Sequence, residues 1–379
     1  MNLRVSRSVC VIGAIAIGLI AGTAKLLSGR HINATSKVQA ETKKMVTVCV
    51  GRLTIDLPED AAVEFMPARV AGVNIKVQSG YTEQKLKSAL TEFEQALALK
   101  KNEYDRPSLE KKLVIDAINF KSTVLYYGRE KPVSLMEYGQ RVPGTEEGIS
   151  IEAFGMKDSV SYRFTGERLA SPRSEDNVLK LIKRFEALTP RQIPTTPGFC
   201  VENGLLHDPL MAAENESVAM FVSLKGHPDV AIRLETSINL KRIEEPLLAR
   251  DAESEIKRKF ASHFKSLRKG ARDINGMHGE EVLDKVKDLD GTSAHAFMWE
   301  SIGEMNNVLA PTITLEMQTG KGGARSANQF KFDRRRGPSV MGAGFSEFED
   351  SLPFDSPARI RSLACMSTLV AIAHKESCD

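Results

Sequence analysis

Three prolines within the stretch LTPRQIPTTPG at 188–198 set the strongest limit on how this chain can fold. Each proline fixes its own φ, lacks an amide donor and pushes its predecessor into extended geometry, so neither a helix nor a central strand continues through the stretch. A single hydrophobic core rarely grows past about 250 to 300 residues. The chain has 379 residues. The sequence therefore predicts two domains, 46–190 and 199–379, joined by a linker at 191–198, with 1–27 and 28–45 as separate leading segments.

Apolar residues alternate through VTVCVGRLTIDLP at 46–58, and the break at Gly51 predicts a strand pair or a bulged strand. A short strand follows at 72–79. In TEQKLKSALTEFEQALALKK, Leu86, Leu90, Phe93 and Leu97 form one helical stripe behind Thr82, a suitable N-cap. Strands are predicted at 121–128, 132–139, 148–154 and 158–164, then a helix in SEDNVLKLIKRFEAL capped by Ser174. Beyond the prolines, strands are predicted at 199–206, 217–224, 230–238, 294–301 and 311–319, with helices at 244–266 and 356–374. The glycine- and arginine-rich stretch 320–345 reads as a loop. The predicted class is α+β: two α+β domains, each a mainly antiparallel sheet with packed helices, plus an N-terminal transmembrane or signal helix.

That first helix is the uncharged run SVCVIGAIAIGLIAGTA between Arg7 and Lys25. At about 1.5 Å per residue it spans roughly 25 Å, close to the hydrocarbon thickness, and a snorkelling Lys25 adds Leu26 and Leu27. Arg4 and Arg7 would hold its start in the cytoplasm, placing the body in the periplasm, tethered to the inner membrane through the polar segment 28–45. The alternative is a cleaved signal peptide with Gly22 and Ala24 before the cut, leaving a soluble periplasmic body. No cysteine follows a small-residue triplet there, so no lipoprotein signal is present. The formal net charge is +3, and Arg4, Arg7, Lys25 and Arg30 supply four positives in an acid-free first thirty residues, leaving a nearly neutral body. That balance lacks the basic footprint of a nucleic-acid binder.

Catalytic chemistry leaves spacing signatures, and none is found here. Ser346 in GAGFSEF lacks the second glycine of a nucleophile elbow. His278 in MHGEEV precedes Glu280 and Glu281 but has no second histidine for a metal. Lys321 in TGKGGARS lacks the glycine spacing of a phosphate-binding loop. The seven histidines never pair at i, i+4. No catalytic residue, cofactor site, metal site or small-molecule substrate is therefore expected. Arg334, Arg335 and Arg336 read as solvated surface, His295 as structural, and Trp299, alternating with Phe297, as an inward-facing strand residue.

Outside the apolar segment, which holds Cys10, the body has Cys49, Cys200, Cys365 and Cys378. In an oxidising compartment four cysteines allow three connectivities. Cys49 with Cys200 is the leading pair, which would join the first strand to the start of the second domain. Cys365 and Cys378 then pair with each other or stay free.

VCVGRLTIDLPEDA at 48–61, PGFCVENG at 197–204 and FMWESIGEMNNVLAPTITLEMQTG at 297–320 resemble the signature segments of a two-domain bacterial family. It comprises the immunity proteins cognate to type VI secretion lipase effectors of the fourth class. The matching positions are Cys49, Gly51, Arg52, Gly198, Phe199, Cys200, Trp299, Glu300, Gly303, Pro311 and Gly320. SPARIRSLACMSTLVAIA near the C-terminus departs from the aromatic-containing closing helix the family implies. The resemblance implies a periplasmic non-enzyme whose partner is a secreted phospholipase, which it inhibits by blocking access to substrate. The alternatives are an envelope-anchored ligand-binding or sensory protein, or an envelope hydrolase. Candidate partner contacts are Glu304, Met305, Asn306 and Asn307 in one loop, and Lys321 and Arg325 in another, because both follow strand ends and carry adaptable side chains.

Overall fold

The computed structural model describes residues 44–320 except 134, 138–139, 143, 171–172, 209–214, 239–244 and 288–290, together with 358–360. In chain order the first half runs β1 (Met45–Val50), β2 (Leu53–Pro58), β3 (Ala62–Phe65), β4 (Ala68–Val70), β5 (Val73–Ser79), α1 (Glu83–Ala98), β6 (Leu109–Asp116), β7 (Lys121–Glu130), β8 (Leu135–Glu137), β9 (Gln140–Val142), β10 (Gly148–Lys157), β11 (Val160–Ala170), α2 (Arg173–Arg184) and β12 (Phe185–Ala187). It continues with β13 (Gly198–Val201), β14 (Gly204–His207), β15 (Ser217–Leu224), β16 (His227–Ser237), α3 (Leu247–Ala252), α4 (Glu255–Lys259), β17 (Phe264–Ala271), β18 (Glu280–Lys287), β19 (Ser293–Ser301), β20 (Thr312–Gln318) and β21 (Ala358–Ile360). Residues 47–55 and 60–361 form one compact unit, which holds the sheet. In the other unit, of 1–46, 56–59 and 362–379, the Glu59 amide donates to the Lys44 carbonyl at 3.0 Å.

The chain is mainly antiparallel sheet with packed helices. Two separate sheets were expected, yet thirteen strands form one, in the order β17-β18-β19-β20-β16-β15-β4-β5-β11-β10-β7-β6, with β3 also on β15. The join is at β15, where Met220 pairs with Phe65 of β3 and Ser217 with Arg69 of β4. An unpaired β15 edge would leave amides and carbonyls without partners, so the two halves complete each other's ladders.

α1 forms as its sequence predicts: Thr82 accepts from the Lys85 amide at 3.2 Å, and Leu86, Leu90, Phe93 and Leu97 pack on Leu125 and Phe154. Register then places the opposite face. Phe154 pairs with Arg163 and Gly155 with Tyr162, so Tyr162 and Phe164 point away from α1, toward α2. There Phe185 meets Phe120, Tyr162 and Phe164 edge-on with ring centroids 5.0 to 5.8 Å apart. Gly204 of β14 lies against the same ring, where a Cβ would come within 2.3 Å. In the second half Met220, Leu234, Leu315 and Trp299 line up in register across β15, β16, β20 and β19 and are all buried.

Several predicted elements are corrected. Ser174 lies inside α2 rather than capping it, and Phe185–Ala187 leaves the helix to pair with β14. The strand expected at 199–206 is a hairpin, β13 and β14, turning at Asn203 with φ +48°. The helix expected at 244–266 is two short ones, because Ser254 caps α4 and Phe264 onward pairs with β18. Of the helix expected at 356–374, Ala358–Ile360 is strand and the rest lies outside the described residues. The apolar segment at 1–27 also lies outside them, and among the described residues no helix is long and apolar enough to cross a membrane.

Phe185→Ala is expected to cost about 3 to 5 kcal/mol in urea denaturation, since it opens a cavity among three other rings. Leu99→Ala, at a side chain 89% exposed, is expected to stay within about 0.5 kcal/mol of the parent.

Candidate partner-binding surface

The family-motif residues near the start of the body converge on one junction. Gly51 has φ +57°, and a Cβ there would lie 2.5 Å from Thr236 Cγ2, so only glycine fits. Its amide donates to the Cys200 carbonyl at 2.9 Å, and the Cys200 amide donates back at 2.7 Å. Cys49 and Cys200 are joined by a disulfide, with Cα atoms 5.8 Å apart. Next to it, Arg52 is 7% exposed. Its Nη1 and Nη2 donate to the two Asp208 oxygens at 3.2 and 3.1 Å, while Nη2 and Nε donate to Glu216. Burial alone would push the Arg52 guanidinium down, but Glu216 and Asp208 outweigh it and hold its pKa above the ordinary arginine value. Phe199 is buried beside the junction, and Gly198 is held so close to β14 that a Cβ would meet the Leu206 carbonyl at 2.4 Å.

The second group of motif residues frames a loop. Trp299 is 1% exposed, donates its indole N–H to the Arg272 carbonyl at 2.8 Å, and lies so near Gly279 that a Cβ there would clash with the ring. Glu300 accepts from Arg250 of α3 at 2.5 Å. Gly303, at φ +68°, starts the β19–β20 loop where a Cβ would strike the Ala310 and Pro311 carbonyls. Pro311 is buried, and Gly320, also at φ +68°, closes β20 by donating to Asp229 at 3.3 Å.

Between Gly303 and Pro311 the loop is bonded to itself. The Glu304 amide donates to Ala310 O at 2.8 Å, Asn307 Nδ2 to Glu304 Oε2 at 2.7 Å, and the Leu309 amide to Asn307 Oδ1 at 2.9 Å. Val308 is buried as its anchor, whereas Met305 and Leu309 are 56% and 40% exposed. Asn306 adopts φ +58° at the tip. A loop ordered in this way presents two apolar side chains at little further entropic cost to a partner. The structure thus brings Glu304, Met305, Asn306 and Asn307 together; Lys321 and Arg325 lie outside the described residues.

Sequence reasoning missed a further surface feature, the α3–α4 cap on the sheet's β17 end. Lys257 donates to Asp251 and Asp284, and Lys269 to Asp251. Burial alone would raise Asp251, but the hydrogen bonds and charges of Lys257 and Lys269 hold its carboxyl below the ordinary range. Burial would likewise lower Lys257, but Asp251 and Asp284 hold it above its usual value. The charges of α4 gave no sign of this arrangement, because the partners of Lys257 lie on α3 and β18.

Comparison with known proteins defines the class. The sequence matches the Tle cognate immunity protein 4 N-terminal domain over residues 46–175 and its C-terminal domain over 192–334. The fold resembles that in the crystal structure of a Tle4–Tli4 complex, at 20% identity and TM-score 0.59, covering 74% of this chain and 87% of that one. It also resembles the apo structure of the immunity protein TplEi of the type VI secretion system from Pseudomonas aeruginosa, at 21% identity and TM-score 0.58, covering 73% and 88%. A third likeness is TplEi from the same organism in complex with an "L" peptide, at 18% identity and TM-score 0.54, covering 77% and 97%. No curated protein matches the sequence. The class is that of immunity proteins, which are not enzymes. This chain belongs to the Tle cognate immunity protein 4 family and has its two domains.

Arg52→Ala is expected to cost about 3 to 5 kcal/mol in urea denaturation, because it removes the guanidinium from which both Asp208 and Glu216 accept hydrogen bonds inside the fold. The α3–α4 cap should show a plateau of protection in hydrogen exchange. Asp251, with its lowered pKa, contributes above the ordinary aspartate value of 3.8 and loses that contribution as pH falls below it. Lys257, with its raised pKa, contributes below the ordinary lysine value of 10.5 and loses it as pH rises beyond.

Proposed function

We propose that this protein binds a type VI secretion lipase effector of the fourth class and inhibits it by covering the approach to its phospholipid substrate. The carrying observation is the match of both domains to one immunity family, together with a fold like that of a protein solved in complex with Tle4. Inhibition by coverage needs a rigid surface rather than a reactive group. The self-bonded β19–β20 loop is such a surface, and Met305 and Leu309 are the side chains it offers. Lys321 and Arg325 belong to the same proposal as charged contacts following β20.

The site of action in this reading is the periplasm, where a toxin of this kind would meet phospholipid, with the segment 1–27 as tether or signal. The Cys49–Cys200 disulfide supports an oxidising compartment. The organisation into 46–190, linker 191–198 and 199–379 is retained in this proposal. A bond across 151 residues between the first strand of one domain and the first strand of the other contributes about 2 to 5 kcal/mol to holding that surface together.

Co-purification with the lipase encoded beside it, followed by a lipase assay, tests the reading: stoichiometric inhibition is expected, and phospholipid turnover by this protein alone, or no complex with the lipase, would reject it. Met305→Asp with Leu309→Asp should weaken effector binding at least about tenfold in calorimetry, without shifting the melting temperature, since both side chains are exposed.

A further inference from the structure

The short helix α4 has inverted polarity. Its cation Lys257 points inward, pinned by Asp251 and Asp284, while Ile256 and the following Phe260 stand 65% and 44% exposed and no residue of the helix is buried. Ile256 lies on the helix and Phe260 at its C-cap, so two exposed apolar side chains stand within one short stretch of chain. Of the seven lysines and arginines in 254–272, Lys257, Arg268, Lys269 and Arg272 are paired with Asp251, Asp284 and Glu281, whereas Arg258, Lys259 and Lys265 form no ion pair among the described residues. Basic residues on the edge strand β17 have an ordinary explanation, since lysines discourage edge-to-edge pairing. That explanation does not reach Ile256 and Phe260, which lie off the strand and cost solvation free energy where they are.

We propose that the outward face of α4 is a membrane-contact surface that seats on anionic phospholipid. Two bulky apolar side chains flanked by unpaired cations match the boundary between acyl chains and phosphate headgroups, with the apolar groups entering and the cations meeting phosphate. A protein partner is less well served, because the apolar pair is flanked by lysines, which the cores of protein interfaces disfavour and anionic headgroups attract. The function is distinct from effector binding and stands or falls separately from it. It would concentrate the protein on the surface its adversary attacks.

The test is co-sedimentation of the full chain with vesicles of phosphatidylcholine alone or with phosphatidylglycerol. The N-terminal apolar segment contributes equally to parent and variants, so differences report the α4 face. The parent should partition more strongly onto the phosphatidylglycerol vesicles, and the preference should fade with added salt. Arg258→Glu with Lys259→Glu should lower that partition by at least about 25-fold, taking roughly fivefold per cation. Ile256→Ser with Phe260→Ser should weaken binding to both vesicle types. All four side chains are exposed, so unchanged melting temperatures are expected and separate lost contact from lost folding. Equal partition of the parent onto both vesicle types, or a charge-reversed variant that partitions like the parent, would overturn the proposal. Loss of lipase inhibition in these variants with vesicle binding intact would assign the face to a protein partner instead.

Discussion

A guanidinium buried between two carboxylates holds the first strands of this protein to its second half. Arg52 follows Gly51, whose conformation and lack of a side chain let the chain lie against Thr236, and Gly51 in turn exchanges backbone hydrogen bonds with Cys200. An ion pair of this kind gains little over an apolar replacement, but breaking one side is severe, because the remaining charge has no water to turn to. Specificity is the more natural role. Asp208 and Glu216 must arrive for Arg52, and Cys200 for Gly51 and Cys49, so the junction as seen needs both halves in place.

From that junction the rest of the architecture follows. The β15 edge accepts β3 and β4, making one sheet of what the domain pattern suggests are two. α1 and α2 cover opposite faces of its first half, and Trp299 anchors the second beneath the turn that carries Gly279. The motif residues are thus occupied with turns, bridges and core contacts. The framework leaves other side chains exposed, Met305 and Leu309 on the ordered loop, Ile256 on α4 and Phe260 at its C-cap, and the two proposals rest on these.

What the sequence revealed depended on how local the signal was. α1 was legible to its cap because its stripe and Thr82 are spaced by helix geometry alone. β16, β19 and β20 were legible because alternation persists where one face is buried. β6, β17 and β18 were not read as strands, because LEKKLVID, FKSLRKGA and EEVLDKVK carry charges on both faces and are held by ladder pairing and ion pairs with distant residues. The same cause turned a predicted helix at 244–266 into α3, α4 and an edge strand.

By itself, the sequence determined the α+β class, the break at the prolines, the helix α1, and the family that its glycine, cysteine and tryptophan motifs resemble, because each rests on spacing within a short window. Only the tertiary structure decided that the two halves share one sheet, that Arg52 finds Asp208 and Glu216, that Cys49 is bonded to Cys200 rather than to another cysteine, and that Ile256 and Phe260 face outward. Those outcomes depend on pairing between residues far apart in the chain, and such pairings are selected by the burial and hydrogen bonding of the whole fold rather than by any local preference.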